Sequence, residues 1–207
     1  MKILFQGDSV TDAQRNYDNP HDLGRGYPKY AAAELRAAHP NVDFEFVDLG
    51  ISGNQTKDLV ARIQSDFIDV QPDIVSIMIG VNDTWHHAEE QDWIPEEIFD
   101  ERYRTVLTAI REHTHARIVI LEPFLLPVPE MAGLRADLDR KIAVVRHLAR
   151  EFADVFVPVD GLLASALIGH SISDFSEDGV HPNAGGAAYI GRMYSEYVSP
   201  LVEKIAK

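Results

Sequence analysis

Four segments of this sequence hold the residue types that could do chemistry. Gly7-Asp8-Ser9-Val10-Thr11-Asp12 places a hydroxyl directly after the first apolar run. If a helix follows it, the Ser9 amide also faces the same point as an oxyanion donor. Gly50-Ile51-Ser52-Gly53-Asn54-Gln55-Thr56 has two glycines, which allow turns other residues resist and leave a bare N–H toward a cleft. Gly80-Val81-Asn82-Asp83 offers a carboxamide that can donate to a developing oxyanion. Asp178-Gly179-Val180-His181-Pro182 sets a carboxylate three residues before an imidazole, a general base whose other nitrogen the carboxylate can orient. Taken singly, each segment also fits a turn or a helix cap. The Asp-x-x-His pair also fits two metal ligands, although spacing suggests no third. Neither GxGxxG nor GxxxxGK[ST] accompanies the first segment, which speaks against a nucleotide loop.

These residues need elements to bring them together. Short, largely apolar strands are expected at Lys2–Phe5, Asp43–Val47, Ile74–Ile79, Arg117–Leu121 and Val155–Val159. Helical periodicity predicts Tyr27–Ala38, Lys57–Val70, Pro95–His113, Leu134–Phe152 and Ala184–Ala206, the last capped by Asn183. Alternating strands and helices imply a parallel sheet covered on both faces through right-handed crossovers. Ser9, Gly53 and Asn82 then fall on three successive strand-to-helix connections. The segment Glu122–Gly133, with Pro123, Pro127 and Pro129, reads as a loop at the carboxyl edge of the sheet, where such folds place their sites.

The four segments in this order resemble the SGNH hydrolases of the GDSL esterase/lipase superfamily, and the likeness covers nearly the whole chain. The resemblance implies a three-layer α/β/α sandwich around a five-stranded parallel sheet, flavodoxin-like, formed by residues 1–207 as one domain. It further implies ester hydrolysis without metal or cofactor. Ser9 would be the nucleophile, His181 the base and Asp178 its orienting carboxylate. The amides of Ser9 and Gly53 and the side chain of Asn82 would form the oxyanion hole. Gly26-Tyr27, Asp58-Leu59-Val60-Ala61-Arg62 and the stretch from Pro72 to Trp85 resemble intracellular carbohydrate acetyl esterases, such as those acting on acetylated xylo-oligosaccharides. The Glu122–Gly133 loop and a shorter C-terminus depart from that pattern. Asp8, Tyr27, Trp85 and Trp93 are the candidates for touching substrate, an indole face being a common platform for a sugar ring. Trp85 and Trp93 could equally pack a loop. The alternatives are a lysophospholipase or thioesterase of the same superfamily, or a carbohydrate-binding relative without turnover.

Composition adds exclusions. The 207 residues include 19 basic and 33 acidic side chains, a net charge of −14, which disfavours nucleic acid and anionic membrane as partners. The same charge implies a mild bias against anionic substrates. With no cysteine, a disulfide framework, thiolate metal sites and a cysteine nucleophile are all excluded. The first residues form too short an apolar run for a signal peptide, and no run approaches the roughly 18 residues of a membrane span, so the expected address is the cytoplasm. Homo-oligomers are common among similar acetyl esterases; the sequence fixes no stoichiometry.

Overall fold

The computed structural model describes residues 1–207. Five strands, β1 (Lys2–Gly7), β2 (Glu45–Asp48), β3 (Ile74–Met78), β4 (Arg117–Leu121) and β5 (Val155–Val157), form one sheet in the order β2-β1-β3-β4-β5. Every pairing is parallel. Side chains alternate across the pleat because the strand period is two residues. Ile3, Phe5, Met78, Val119 and Leu121 therefore join one core layer, and Leu4, Val75, Ile77, Ile118 and Ile120 the other.

Helices fill both layers. On the first face lie α2 (Tyr27–Ala38), α7 (Val159–Ala166) and α8 (Ala184–Ile205), through Leu35, Leu163, Ile190 and Val198. On the second lie α3 (Thr56–Ala61), α5 (Glu96–His113) and α6 (Ala132–Phe152), through Leu59, Leu107 and Leu148. Two one-turn helices, α1 (Ser9–Asp12) and α4 (Asn82–Trp85), follow β1 and β3 directly. Since β1 connects to β2 on one side and lies beside β3 on the other, both short helices stand at the point where strand order reverses. That crevice is where open α/β sheets bind ligands.

The expected three-layer architecture is present, with local corrections. The second strand runs over Glu45–Asp48 because Lys2 to Phe5 of β1 register with those residues. The single helix expected over Lys57–Val70 divides into α3 and a π turn at Gln64–Ile68. There the Asp66 carboxylate accepts from Gln6 Nε2 at 2.8 Å and from Arg62 Nε at 2.7 Å, contacts that link the turn to β1. Val159 leaves the last strand to begin α7 after Pro158. Part of Glu122–Gly133 is helical, as a 3₁₀ turn at Pro129–Met131 that leads into α6 at Ala132.

α2 and α8 pack closely enough to require a glycine. A Cβ on Gly191 would lie 2.5 Å from Tyr30 Cβ and 2.8 Å from Ala31 N. Nearby, Ser76 Oγ of β3 and the Tyr194 hydroxyl of α8 share a buried 2.6 Å hydrogen bond. Gly191→Ala is expected to cost about 1–3 kcal/mol by forcing the helices apart, seen as a lower urea midpoint; an unchanged midpoint would mean the crossing yields freely.

Candidate active site

Ser9 is the first residue of α1. Asp8 caps that helix, its Oδ1 accepting from Val10 N at 3.0 Å, which fixes the corner that turns Ser9 toward the carboxyl edge. His181 reaches the same point from a tight loop closed by a bridge between Ser176 and Pro182. Within it, Ser176 Oγ accepts from Gly179 N at 2.9 Å and lies 2.7 Å from the His181 carbonyl. His181 Nε2 stands 2.9 Å from Ser9 Oγ, and His181 Nδ1 stands 2.6 Å from Asp178 Oδ2.

The electrostatics assign a direction to this chain. Burial pushes the Asp178 carboxyl up, but bonds from the His181 ring and from the amides of His181 and Val180 outweigh it and hold it at about 2. An ionised carboxylate can only accept, so Nδ1 carries the ring hydrogen and donates. Nε2 is then left with its lone pair facing the Ser9 hydroxyl, the tautomer a general base requires. His181 is 46% exposed at its side chain and so open to a reactant.

The other two segments are tied to each other. Asn82 begins α4, and its Nδ2 donates one hydrogen to the Asn54 carbonyl at 3.1 Å, leaving the second free. Gln55 Nε2 donates to the Asn82 carbonyl at 2.9 Å. Asp83 accepts from Thr56 Oγ1 at 2.6 Å and Thr56 N at 3.0 Å. Between them, Gly53 takes φ +82°, a conformation that favours glycine. Asp12 anchors the same loop by accepting from Ser52 N at 2.9 Å, while Arg15 Nε donates to the Gly50 carbonyl at 2.8 Å. Beneath α4, Thr84 Oγ1 donates to Asp137 at 2.6 Å, and Asp137 pairs with the fully buried Lys141.

Ser9 and Asp178 thus each meet His181 directly, on opposite ring nitrogens, and Gly53 and Asn82 are joined through Asn54. Of the four candidates for substrate contact, Tyr27 and Asp8 are buried and Trp85 and Trp93 are half-buried. Tyr27 is 0% exposed in the core against Phe5 and Tyr194, so its ring reaches no cleft. Asp8 is buried and spent on its cap. Trp85 lies against the His181 ring, centroids 5.6 Å apart, and Trp93 packs on the cluster of Val81, Leu134 and Val180. Asp12, Gln55, Thr56 and Asp83 lie inside the motif segments and carry a structural signal there. Asp137 and Lys141 read only as a solvated i,i+4 pair.

Two cavities matter. A cleft of about 580 Å³ contains Ser9, Ser52 and His181 on its wall and is lined by more polar than apolar residues. An apolar cavity of about 570 Å³ lies behind the Leu125–Val128 loop, lined also by Met131, Ala164 and Leu167, and includes none of the three. No group of three or more His, Asp or Glu side chains is placed to hold a metal ion. No helix is long and apolar enough to cross a membrane.

The chain belongs to the GDSL-like Lipase/Acylhydrolase family, whose sequence model matches residues 5–189, and it is a carboxylic ester hydrolase. It is 31% identical over 200 residues to an acetylxylan esterase of Geobacillus stearothermophilus, covering 93% of this chain and 91% of that protein. Among solved structures, a GDSL-like lipase candidate from Parabacteroides merdae superposes with TM-score 0.88 at 31% identity, covering 94% of each chain. A variant of a Geobacillus acetyl-xylooligosaccharide esterase superposes with TM-score 0.87 at 29% identity, covering 95% of this chain and 93% of that one. The fold is therefore the SGNH hydrolase fold.

Burial pushes the Asp8 carboxyl up to about 7; Asp83 adds to this, while the Val10 amide and His181 oppose it. Its ordinary value is 3.8, so between roughly pH 4 and 7 the unfolded chain gives up a proton that the fold retains. Asp8 therefore removes stability as pH rises through that window. Asp8→Asn keeps an acceptor for Val10, and its stability relative to the parent should improve from pH 4.5 to pH 8. Parallel urea-midpoint profiles for the two proteins would contradict this.

Proposed function

We propose that this chain is a serine esterase that removes acetyl groups from small carbohydrates, using Ser9, His181 and Asp178 and passing through an acyl-enzyme. The observation that carries the reading is the unbroken chain from Ser9 Oγ to His181 Nε2 at 2.9 Å and from His181 Nδ1 to Asp178 Oδ2 at 2.6 Å. Catalytic variants of the Geobacillus acetylxylan esterase replace a serine, and an aspartate and a histidine three positions apart. Asp178 and His181 have the same separation.

Ser9 Oγ attacks the ester carbonyl carbon while its proton passes to His181 Nε2. The oxyanion accepts hydrogen bonds from the amides of Ser9 and Gly53 and from the free hydrogen on Asn82 Nδ2. Collapse breaks the bond to the alcohol oxygen, which takes the proton from His181. Water then gives a proton to His181 and attacks the acetylated serine, releasing acetate and restoring Ser9. Asp178 stays ionised throughout and steadies the imidazolium.

Acetyl rather than a long acyl chain fits the cavities. The wall around Ser9 and His181 is polar, and the apolar cavity that could house a chain excludes both residues. A ring of sugar hydroxyls suits the polar cleft.

Ser9→Ala should remove hydrolysis of p-nitrophenyl acetate while circular dichroism stays unchanged; surviving turnover would dismiss Ser9 as nucleophile. A parent protein that fails to turn over the ester or to label with a fluorophosphonate would be the carbohydrate-binding relative instead. Across p-nitrophenyl esters, kcat/KM should fall steeply from acetyl to octanoyl, whereas a maximum at octanoyl would favour the lysophospholipase or thioesterase reading.

A further inference from the structure

The cleft beside Ser9 carries a charge opposite to that of the molecule. Arg25 and Lys29 line it together with Ser9, Tyr30, His181 and Asn183, and no carboxylate is on its wall. The whole chain has a net charge of −14, so two cations and no acid in one cleft are a local reversal. Both side chains belong to exposed residues and neither is ion-paired, whereas Arg15, Arg62, Arg104 and Arg135 all are. The carboxylates bordering the cleft are engaged: Asp12 accepts from Ser52 and from the Tyr17 hydroxyl at 2.7 Å, and Asp178 is bonded to His181.

Lys29 also stands where its charge is disfavoured. It lies in the first turn of α2, which contains no acidic residue, and the N-cap Gly26 has no side chain to bond the turn's amides. A cation at the positive end of a helix is repelled by the macrodipole, so local stability does not account for it. The start of α8 opens on the same cleft at Asn183 and Ala184. The Gly191 crossing holds the two helix starts in place. Charges of one sign in a cleft concentrate a ligand of the other sign.

We infer that the alcohol part of the preferred substrate carries a carboxylate, an acetylated sugar acid or an oligosaccharide with a uronate unit, held by Arg25 and Lys29 while its acetyl group lies at Ser9. This rests on the esterase reading above and narrows its substrate. It also reverses the bias that net charge alone implies, since a ligand meets the field of the cleft at contact distance, within a Debye length of about 8 Å. Arg25 offers a planar fork that matches a carboxylate, and Lys29 a compact second charge.

The test compares mono-O-acetylated methyl glucuronide, methyl glucoside and glucose 6-phosphate as substrates of the full chain. At low ionic strength kcat/KM for the glucuronide should exceed that for the glucoside by about tenfold, mainly through KM, and the ratio should shrink in 0.5 M salt, on the order of a 4 Å screening length. The double variant Arg25→Gln/Lys29→Gln should bring the ratio close to one, while Arg150→Gln, an exposed cation at the far end of α6, leaves it high. A parent ratio at or below one, or a ratio untouched by the double variant, would overturn the inference. A preference confined to the phosphate ester would overturn the assignment of a carboxylate. Failure of the esterase reading itself would look different, as no turnover of any of the three esters by the parent, and turnover by Ser9→Ala would dismiss only the nucleophile.

Discussion

Carboxylates taken out of water must find donors nearby, and at the carboxyl edge of this sheet that requirement shapes every loop. Asp8, Asp12, Asp48, Asp83 and Asp137 are all buried there. An unpaired buried charge costs several kcal/mol; Asp8 caps its own helix, and each of the other four recruits a group from another segment. Asp12 draws in Ser52, Asp48 holds Gly50 N at 2.9 Å and faces Arg15 at 3.8 Å, Asp83 holds Thr56, and Asp137 holds Thr84 and Lys141. The first, second and third motif segments are thereby fastened to one another before any substrate arrives. Burial raises the carboxyls of Asp48 and Asp83, against the donors that oppose it.

Against that fixed frame the histidine loop is built differently. Asp178 is partly exposed, and its low value comes from three N–H donors rather than from a buried cation. In the proposed esterase its role would be orientation, and orientation needs short bonds more than low dielectric. Trp85 links the two regions, since α4 places its indole against the His181 ring. A single one-turn helix thus presents Asn82 on one side and supports the imidazole on the other.

Much of this was legible in residues. The parallel sheet covered on both faces followed from alternating apolar and helical runs, and α2 at Tyr27–Ala38 and β4 at Arg117–Leu121 have the expected bounds. Ser9, Gly53, Asn82, Asp178 and His181 stood out because each is polar or flexible directly after a strand or beside the last helix. What the sequence hid depends on partners far along the chain. The break in the helix after Ala61 involves a bond donated to Asp66 by Gln6, 60 positions away. The one-turn helices α1 and α4 are shorter than any periodicity can register. Tyr27 sits in a recognisable stretch, yet its direction was set by Phe5 and Tyr194, which no local pattern reports. Lys141 is buried against the usual habit of lysine, and only Asp137 explains it.

The close crossing of α2 and α8 has a reach beyond packing. α2 brings Lys29 to the cleft, and α8 starts three residues after His181. The distance between His181 and the cations is therefore set partly by what lies between two helices on the dry side of the molecule. Selectivity can then drift in a lineage through changes at positions that never meet a ligand, as a thicker or thinner residue in that seam slides one wall of the cleft past the other. Residues chosen for redesign from the visible wall alone would miss the adjustment that acts on all of them at once.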